Sequence, residues 1–208
     1  MPLINVENTL NYSPSCERNK DVIFEQLLPF LSSVRSVLEI GSYSGQHALH
    51  ICPLVPNLTW QPSDQLDLLA SLNKNIQLHN INNLKAALKL DVAIEDDWPL
   101  HTFDLIFSAN TLHIMSWQHV VALFNNLPKC LNENSYLCIY GPFKYDGQYT
   151  SASNENFQQW LLDRDPVSGI RDFESINRLA ESIDLKLIKD INMPANNQLL
   201  IWKKNNVC

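Results

Sequence analysis

Apolar and polar positions alternate along this chain with two periods, one of about two residues and one of about three and a half. Ser13 and Pro14 followed by Glu17 make a helix start: a capping hydroxyl, a proline in the first turn and an acid near the positive end. The helix is expected to run to about Leu31 on a stripe of Val22, Ile23, Leu27 and Leu28. A compact strand follows at 36–40, then a helix from about Gln46 to Leu54 closed by Pro53 and Pro56. The alternation continues with a strand at 58–61, a helix at 66–78, strands at 86–90 and 103–109, a helix at 117–131 and a strand at 135–141.

Strand and helix in turn predict a parallel sheet with helices on both faces. The rhythm breaks over residues 142–172, an insertion expected to serve as a lid. It resumes with a helix at 173–183 and strands at 185–191 and 198–203, which read as an antiparallel hairpin turned by "NMPANN". We expect one α/β domain over residues 1–208, without repeats or low-complexity linkers.

The stretch "SVLEIGSYSGQHAL" at 36–49 carries the first chemistry. A strand ends on Glu39, and Gly41 and Gly45 then turn the chain into a helix. In open α/β sheets ligands bind beyond the carboxyl ends of the strands, and glycine lets the backbone approach them closely. Two cofactor classes use such a turn: dinucleotides, whose pyrophosphate sits on the helix N-terminus, and S-adenosylmethionine, which presents an amine, a carboxylate and ribose hydroxyls. The third glycine of the dinucleotide fingerprint is absent here, since Gln46 and His47 follow Gly45.

Charge narrows the partners. Lys and Arg number 15 against 22 Asp and Glu, a net charge of −7, and the basic residues are scattered, so binding to long nucleic acid is not expected. Residues 1–20 lack the pattern of a secretory leader and no later stretch is apolar enough to span a membrane, so a cytoplasmic protein is expected. Five cysteines without a C-x-x-C pair point to neither a disulfide framework nor a zinc site, and no metal is expected.

Four stations in order resemble the class I S-adenosylmethionine-dependent methyltransferases: Glu39 before the glycine turn, Asp64 after the second strand, Asp91 in "LKLDV" and "FDLIFSANTLHI" at the fourth strand. The segments "SPSCERNK", "GQHALH", "LTWQPSD", "ANTLHI", "YGPFKYDGQYTSASN", "DPVSGIRD" and "MPANN" resemble, more narrowly, a methyltransferase-like family long carried as a domain of unknown function. That resemblance implies a Rossmann-like class I fold, a seven-stranded, mostly parallel sheet with the last strand antiparallel, and S-adenosyl-L-methionine as cofactor. It supplies no acceptor. Tyr43 stands where such loops commonly carry glycine.

The resemblance implies a role for Glu39, orienting the loop of Gly41, Ser42 and Gly45 and the methionine amine. Asp64 is expected to accept from the ribose diol, or else to cap a helix. Asp91 is expected to receive the adenine amine with the Val92 N–H beside it, or else to serve a turn. Asn110 would face the transferable methyl, though "TLHI" replaces the Pro-Pro-aromatic run of amide and adenine-amine methyltransferases. His113 is either a proton acceptor near the methyl or a satisfied loop histidine. Arg18, on the first helix, would hold the methionine carboxylate or an acidic acceptor, or be solvated. The aromatic residues Phe143, Tyr145, Tyr149, Phe157 and Trp160 of the insertion either enclose an acceptor or pack a lid helix. The expected activity is methyl transfer to a small-molecule acceptor; the alternative is a non-catalytic S-adenosylmethionine-binding protein acting through a partner.

Overall fold

The computed structural model describes residues 10–205. The leader reading at the first residues and Cys208 fall outside that range. Helix α1 spans Pro14–Leu31 and is capped by Ser13, whose hydroxyl accepts from the Cys16 N–H at 3.3 Å. Then come β1 (Ser36–Ile40), α2 (Gln46–Ile51), β2 (Thr59–Asp64), α3 (Leu69–His79), β3 (Leu88–Lys89), β4 (Phe103–Ala109), α4 (Trp117–Asn126) and β5 (Leu131–Gly141). The insertion contributes β6 (Phe143–Tyr145), β7 (Gln148–Tyr149), α5 (Ala152–Arg164) and β8 (Arg171–Asp172). Helix α6 (Phe173–Glu181), β9 (Leu185–Met193) and β10 (Asn197–Lys204) complete the chain.

Seven strands form one sheet in the order β3-β2-β1-β4-β5-β10-β9, and β10 alone runs opposite to the other six. This is the α/β architecture that the alternation of elements predicts. The chain winds outward from β1 to β3, then returns to β4 on the other side of β1. Between β1 and β4 the winding reverses, and that switch point opens a cleft beyond their carboxyl ends.

Alternation along the strands feeds two cores. Val37, Leu105, Phe107, Cys138, Leu199 and Ile201 pack with α1, α2 and α3, while Leu38, Ile106, Ile139, Leu200 and Trp202 pack with α4 and α6. A strand buried on both faces reads as a continuous apolar run, which is why "SVLEI" and "FDLIFSA" are so legible.

Several boundaries differ from the expectation. Strand β2 reaches Asp64 rather than stopping at 61, because Pro62 lacks only an N–H and its neighbours keep pairing with β1. Strand β3 shrinks to two residues at the sheet edge, with partners on one side only. The helices expected to reach 54 and 131 tighten into 3-10 turns at Cys52–Leu54 and Leu127–Cys130, where Pro53 and Pro128 remove donors. The insertion is no bare loop: β6, β7 and β8 form a small sheet of their own and α5 packs beside β7.

Candidate functional site

Three residues of the first turn adopt left-handed backbone: Gly41 at φ 75°, Tyr43 at φ 48° and Gly45 at φ 73°. At Gly41 a Cβ would stand 2.7 Å from the Thr111 side chain, so this glycine makes room for the loop after β4. The same curl turns the Tyr43 N–H toward Asp64, whose Oδ2 accepts it at 2.6 Å, while Oδ1 accepts from Gln65 N–H at 2.8 Å. Burial raises the Asp64 pKa, and these two N–H donors partly offset it. The Tyr43 ring is 40% exposed.

Glu39 lies under this loop, 1% exposed. Its Oε2 accepts from Trp60 Nε1–H at 2.9 Å, and Oε1 sits 3.5 Å from His47 Nδ1. The far ring nitrogen of His47 meets Asn19 Oδ1 at 3.0 Å. The Glu39 carbonyl accepts from the Ser63 hydroxyl at 2.6 Å, and Ser42 Oγ donates to it at 3.4 Å. A buried carboxylate thus ties β1, β2, α1 and α2 together beneath the turn. Above it, the Ser13 N–H donates to Gln46 Oε1 at 2.7 Å, and Gln46 Nε2 donates to Glu17 at 3.0 Å. Asn75 Nδ2 clamps the carbonyls of Asn11 and Ser44, each at 2.9 Å.

At the neighbouring strand ends, Asp91 is half-buried and Oδ1 accepts from the Ala93 N–H at 3.0 Å, while Oδ2 has no partner among the described residues. Buried Val92 gives its carbonyl to Trp98 Nε1–H and Asn126 Nδ2–H. Asn110 is held at φ 57° by its N–H donating to the Tyr140 carbonyl at 2.8 Å, and its half-buried amide has no partner among the described residues. His113 is buried, with its ring edge against Phe157 at a centroid distance of 5.3 Å. Burial, with a lesser contribution from Arg171, pulls the His113 pKa down to about 4, so the ring is neutral at neutral pH.

Arg171 makes the loop around His113 rigid. Its guanidinium donates to the carbonyls of Leu112 at 3.1 Å and Val167 at 3.0 Å, and also to that of Met115. Arg18 is exposed and donates to Ser15 Oγ at 3.3 Å, near enough to Tyr140 to act on its hydroxyl electrostatically. The fold therefore gathers Gly41, Ser42, Asp64, Asp91, Val92, Asn110 and His113 along the strand ends. Glu39 lies beneath them, and Arg18 lies on the α1 side.

The insertion's aromatic residues divide. Phe143 is core, Tyr145 donates to Asp190 at 2.8 Å and stacks on Phe173, and Phe157 stacks on Trp160 at 5.6 Å. Asn154, also buried, donates to the Asn196 carbonyl at 2.9 Å and so fastens α5 to the turn before β10. A cavity of about 280 Å³ is lined in part by Trp117, Lys144, Gln158 and Arg171, none of which is a predicted site residue. Trp60, Asn75 and Arg171 were invisible as site residues in the sequence. Each reaches a partner far along the chain, Trp60 to Glu39 across 21 residues, Asn75 to Ser44 across 31 and Arg171 to Leu112 across 59, and carries no local motif.

Comparison with known structures supports the fold. An O-methyltransferase family protein from Burkholderia thailandensis superposes with a TM-score of 0.75 at 13% identity over 92% of this chain and 60% of that one. Human N-acetylserotonin methyltransferase, solved in complex with SAM, gives 0.75 at 13% identity over 92% of this chain and 53% of that one. An O-methyltransferase family 2 protein from Planctomyces limnophilus, in complex with apigenin, gives 0.70 at 16% identity over 89% of this chain and 61% of that one. The chain spans between 53 and 61% of the length of these structures. The fold is that of the class I methyltransferases. The family model described as "Protein of unknown function (DUF938)" matches residues 10–204, and the chain belongs to that family.

Proposed function

We propose that this member of the family binds S-adenosylmethionine across the carboxyl ends of β1 to β4 and transfers its methyl group to a small molecule. One observation carries the reading. Asp91 Oδ2 and the Asn110 amide lack partners among the described residues, half-buried beside the turn that positions Asp64. Such groups, still reached by solvent, keep their hydrogen-bonding capacity for a ligand. The chemistry of the donors and acceptors fits this cofactor. Asp64 keeps acceptor capacity for a ribose diol beyond its two N–H bonds, Asp91 Oδ2 would accept an adenine amine, and Arg18 would hold a carboxylate.

When bound, the cofactor supplies an electrophilic methyl group on a sulfonium. The chain's own part is to position and to exclude water. Asn110 is fixed by its strained backbone at the end of β4, and His113 is held by the loop that Arg171 clamps. A neutral imidazole there carries one N–H and one bare nitrogen, so it can donate to an acceptor's oxygen through the first and accept a proton through the second. Two of the similar structures carry SAM and apigenin respectively, which supports this cofactor and an acceptor of small size. The acidic net charge of −7 speaks against a nucleic-acid acceptor, and no helix among the described residues is long and apolar enough to cross a membrane.

Calorimetry with S-adenosylmethionine, with a nicotinamide dinucleotide as the competitor chemistry, tests the first half. We expect a dissociation constant of about a micromolar for the former and no heat for the latter. Incubation with radiolabelled-methyl cofactor and cell extract tests the second: label should appear in the metabolite fraction. Label confined to protein or RNA would overturn the small-molecule acceptor. Binding without any transfer would favour a non-catalytic protein that works through a partner.

A further inference from the structure

Beyond the predicted residues, one polar group deep in the fold lacks a use. Gln198 is the second residue of β10 and is 7% exposed; its Nε2 donates to Asn192 Oδ1 at 3.0 Å, but its Oε1 is buried with no partner among the described residues. A buried acceptor that nothing reaches keeps its full desolvation cost, which a ligand donor would relieve.

Its neighbourhood is defined by strand register. Gln198 stands directly opposite Gly141 in the antiparallel pair of β10 and β5, so the Gln198 side chain leaves the sheet on the face where a Gly141 side chain would be. A Cβ on Gly141 would lie 3.7 Å from His113 Nδ1. The imidazole, 6% exposed, therefore flanks the same bare patch of backbone, and its ring nitrogens have no hydrogen-bond partner among the described residues. Two buried polar side chains, from the loop after β4 and from β10, thus stand on one face of the sheet about the position that a Gly141 side chain would fill. The Phe157 ring lies against His113 from the insertion.

We propose that this space receives an uncharged hydroxyl of the methyl acceptor, with Gln198 as the specificity-determining residue. The inference rests on the methyl-transfer reading for its name but not for its geometry. A hydroxyl can donate to Gln198 Oε1 and accept from the N–H of a neutral imidazole at the same time. A carboxylate has no proton to give the amide oxygen, and a carboxylate or an ammonium would carry its charge into a buried site. The selected acceptor is therefore an alcohol or phenol rather than an acid or a protonated amine, and Phe157 favours one with an aromatic ring.

The test uses phenol, benzoate and toluene as probes on the full chain, followed by nuclear magnetic resonance of the His113 ring. Phenol should shift that resonance saturably, while the other two at equal concentration leave it in place. Gln198→Met removes the acceptor and Gly141→Ala fills the gap, and each should weaken phenol about fivefold or more. Gly141→Ala guards against misfolding, since its new methyl meets His113 only at the ordinary contact distance of 3.7 Å. Calorimetry with S-adenosylmethionine runs alongside and should be unchanged in both variants. Equal binding of phenol and toluene, no effect of phenol at all, or a Gln198→Met protein that binds phenol as the unaltered chain does would overturn the inference. If the unaltered chain binds phenol selectively yet ignores S-adenosylmethionine, the hydroxyl site stands and the methyl-transfer reading alone falls.

Discussion

The backbone N–H of Tyr43 donates to Asp64 Oδ2 at 2.6 Å, joining the turn after β1 to the last residue of β2. The bond requires left-handed backbone at Tyr43, φ 48°, in a residue with a bulky side chain.

Glycine would adopt that conformation without penalty, and alanine would not. We expect Tyr43→Gly to be more stable than Tyr43→Ala by about 1 kcal/mol, measured by urea unfolding of the two variants. Cofactor affinity should be retained or improved in the glycine variant. A large loss in both would mean that the exposed ring itself packs on the ligand.

Glu39 and Asp91 should respond differently to truncation. Glu39→Ala leaves Trp60 Nε1–H and His47 without their buried partner and should cost about 1–3 kcal/mol for each group orphaned. Chemical denaturation reads that loss directly, whether or not cofactor is present.

Asp91→Ala gives up one turn bond to Ala93 and should cost little stability. If its free oxygen meets the adenine amine, cofactor affinity falls by about 1–3 kcal/mol, and calorimetry on the folded variant is the measurement. Unchanged affinity would leave Asp91 as a turn residue.

His113 predicts a pH dependence with a definite sign. Its pKa is about 4 in the folded protein against an ordinary value of 6.5, so between those values the unfolded chain binds the proton and the folded one does not. Stability from this group is complete above pH 6.5 and is lost as pH falls toward 4, by about 3 kcal/mol in all. The difference in unfolding free energy between the native chain and His113→Gln, followed from pH 7 to pH 4, should show this component; parallel curves would refute it.

Much of this protein is decided locally. The strands β1 and β4 are apolar runs because both of their faces are buried, and helix α1 begins at Ser13 because a hydroxyl and a proline suit a first turn, so each is legible from its own residues. The turn at Gly41 and Gly45 and the acids Asp64 and Asp91 are legible for a related reason: strand ends and the turns after them have local signatures. Tertiary structure decided the rest. It shortened β3, whose edge position gives it one partner, and it built a small sheet inside the insertion from pairings such as Phe143 with Arg171. It also brought Gln198 to the Gly141 that faces His113, and set Trp60 and His47 around Glu39. Those groups are far apart in the chain and have no shared motif. Hydrogen bonding in a buried space depends on which backbones the sheet sets side by side, and that is a property of strand order and register rather than of any one segment.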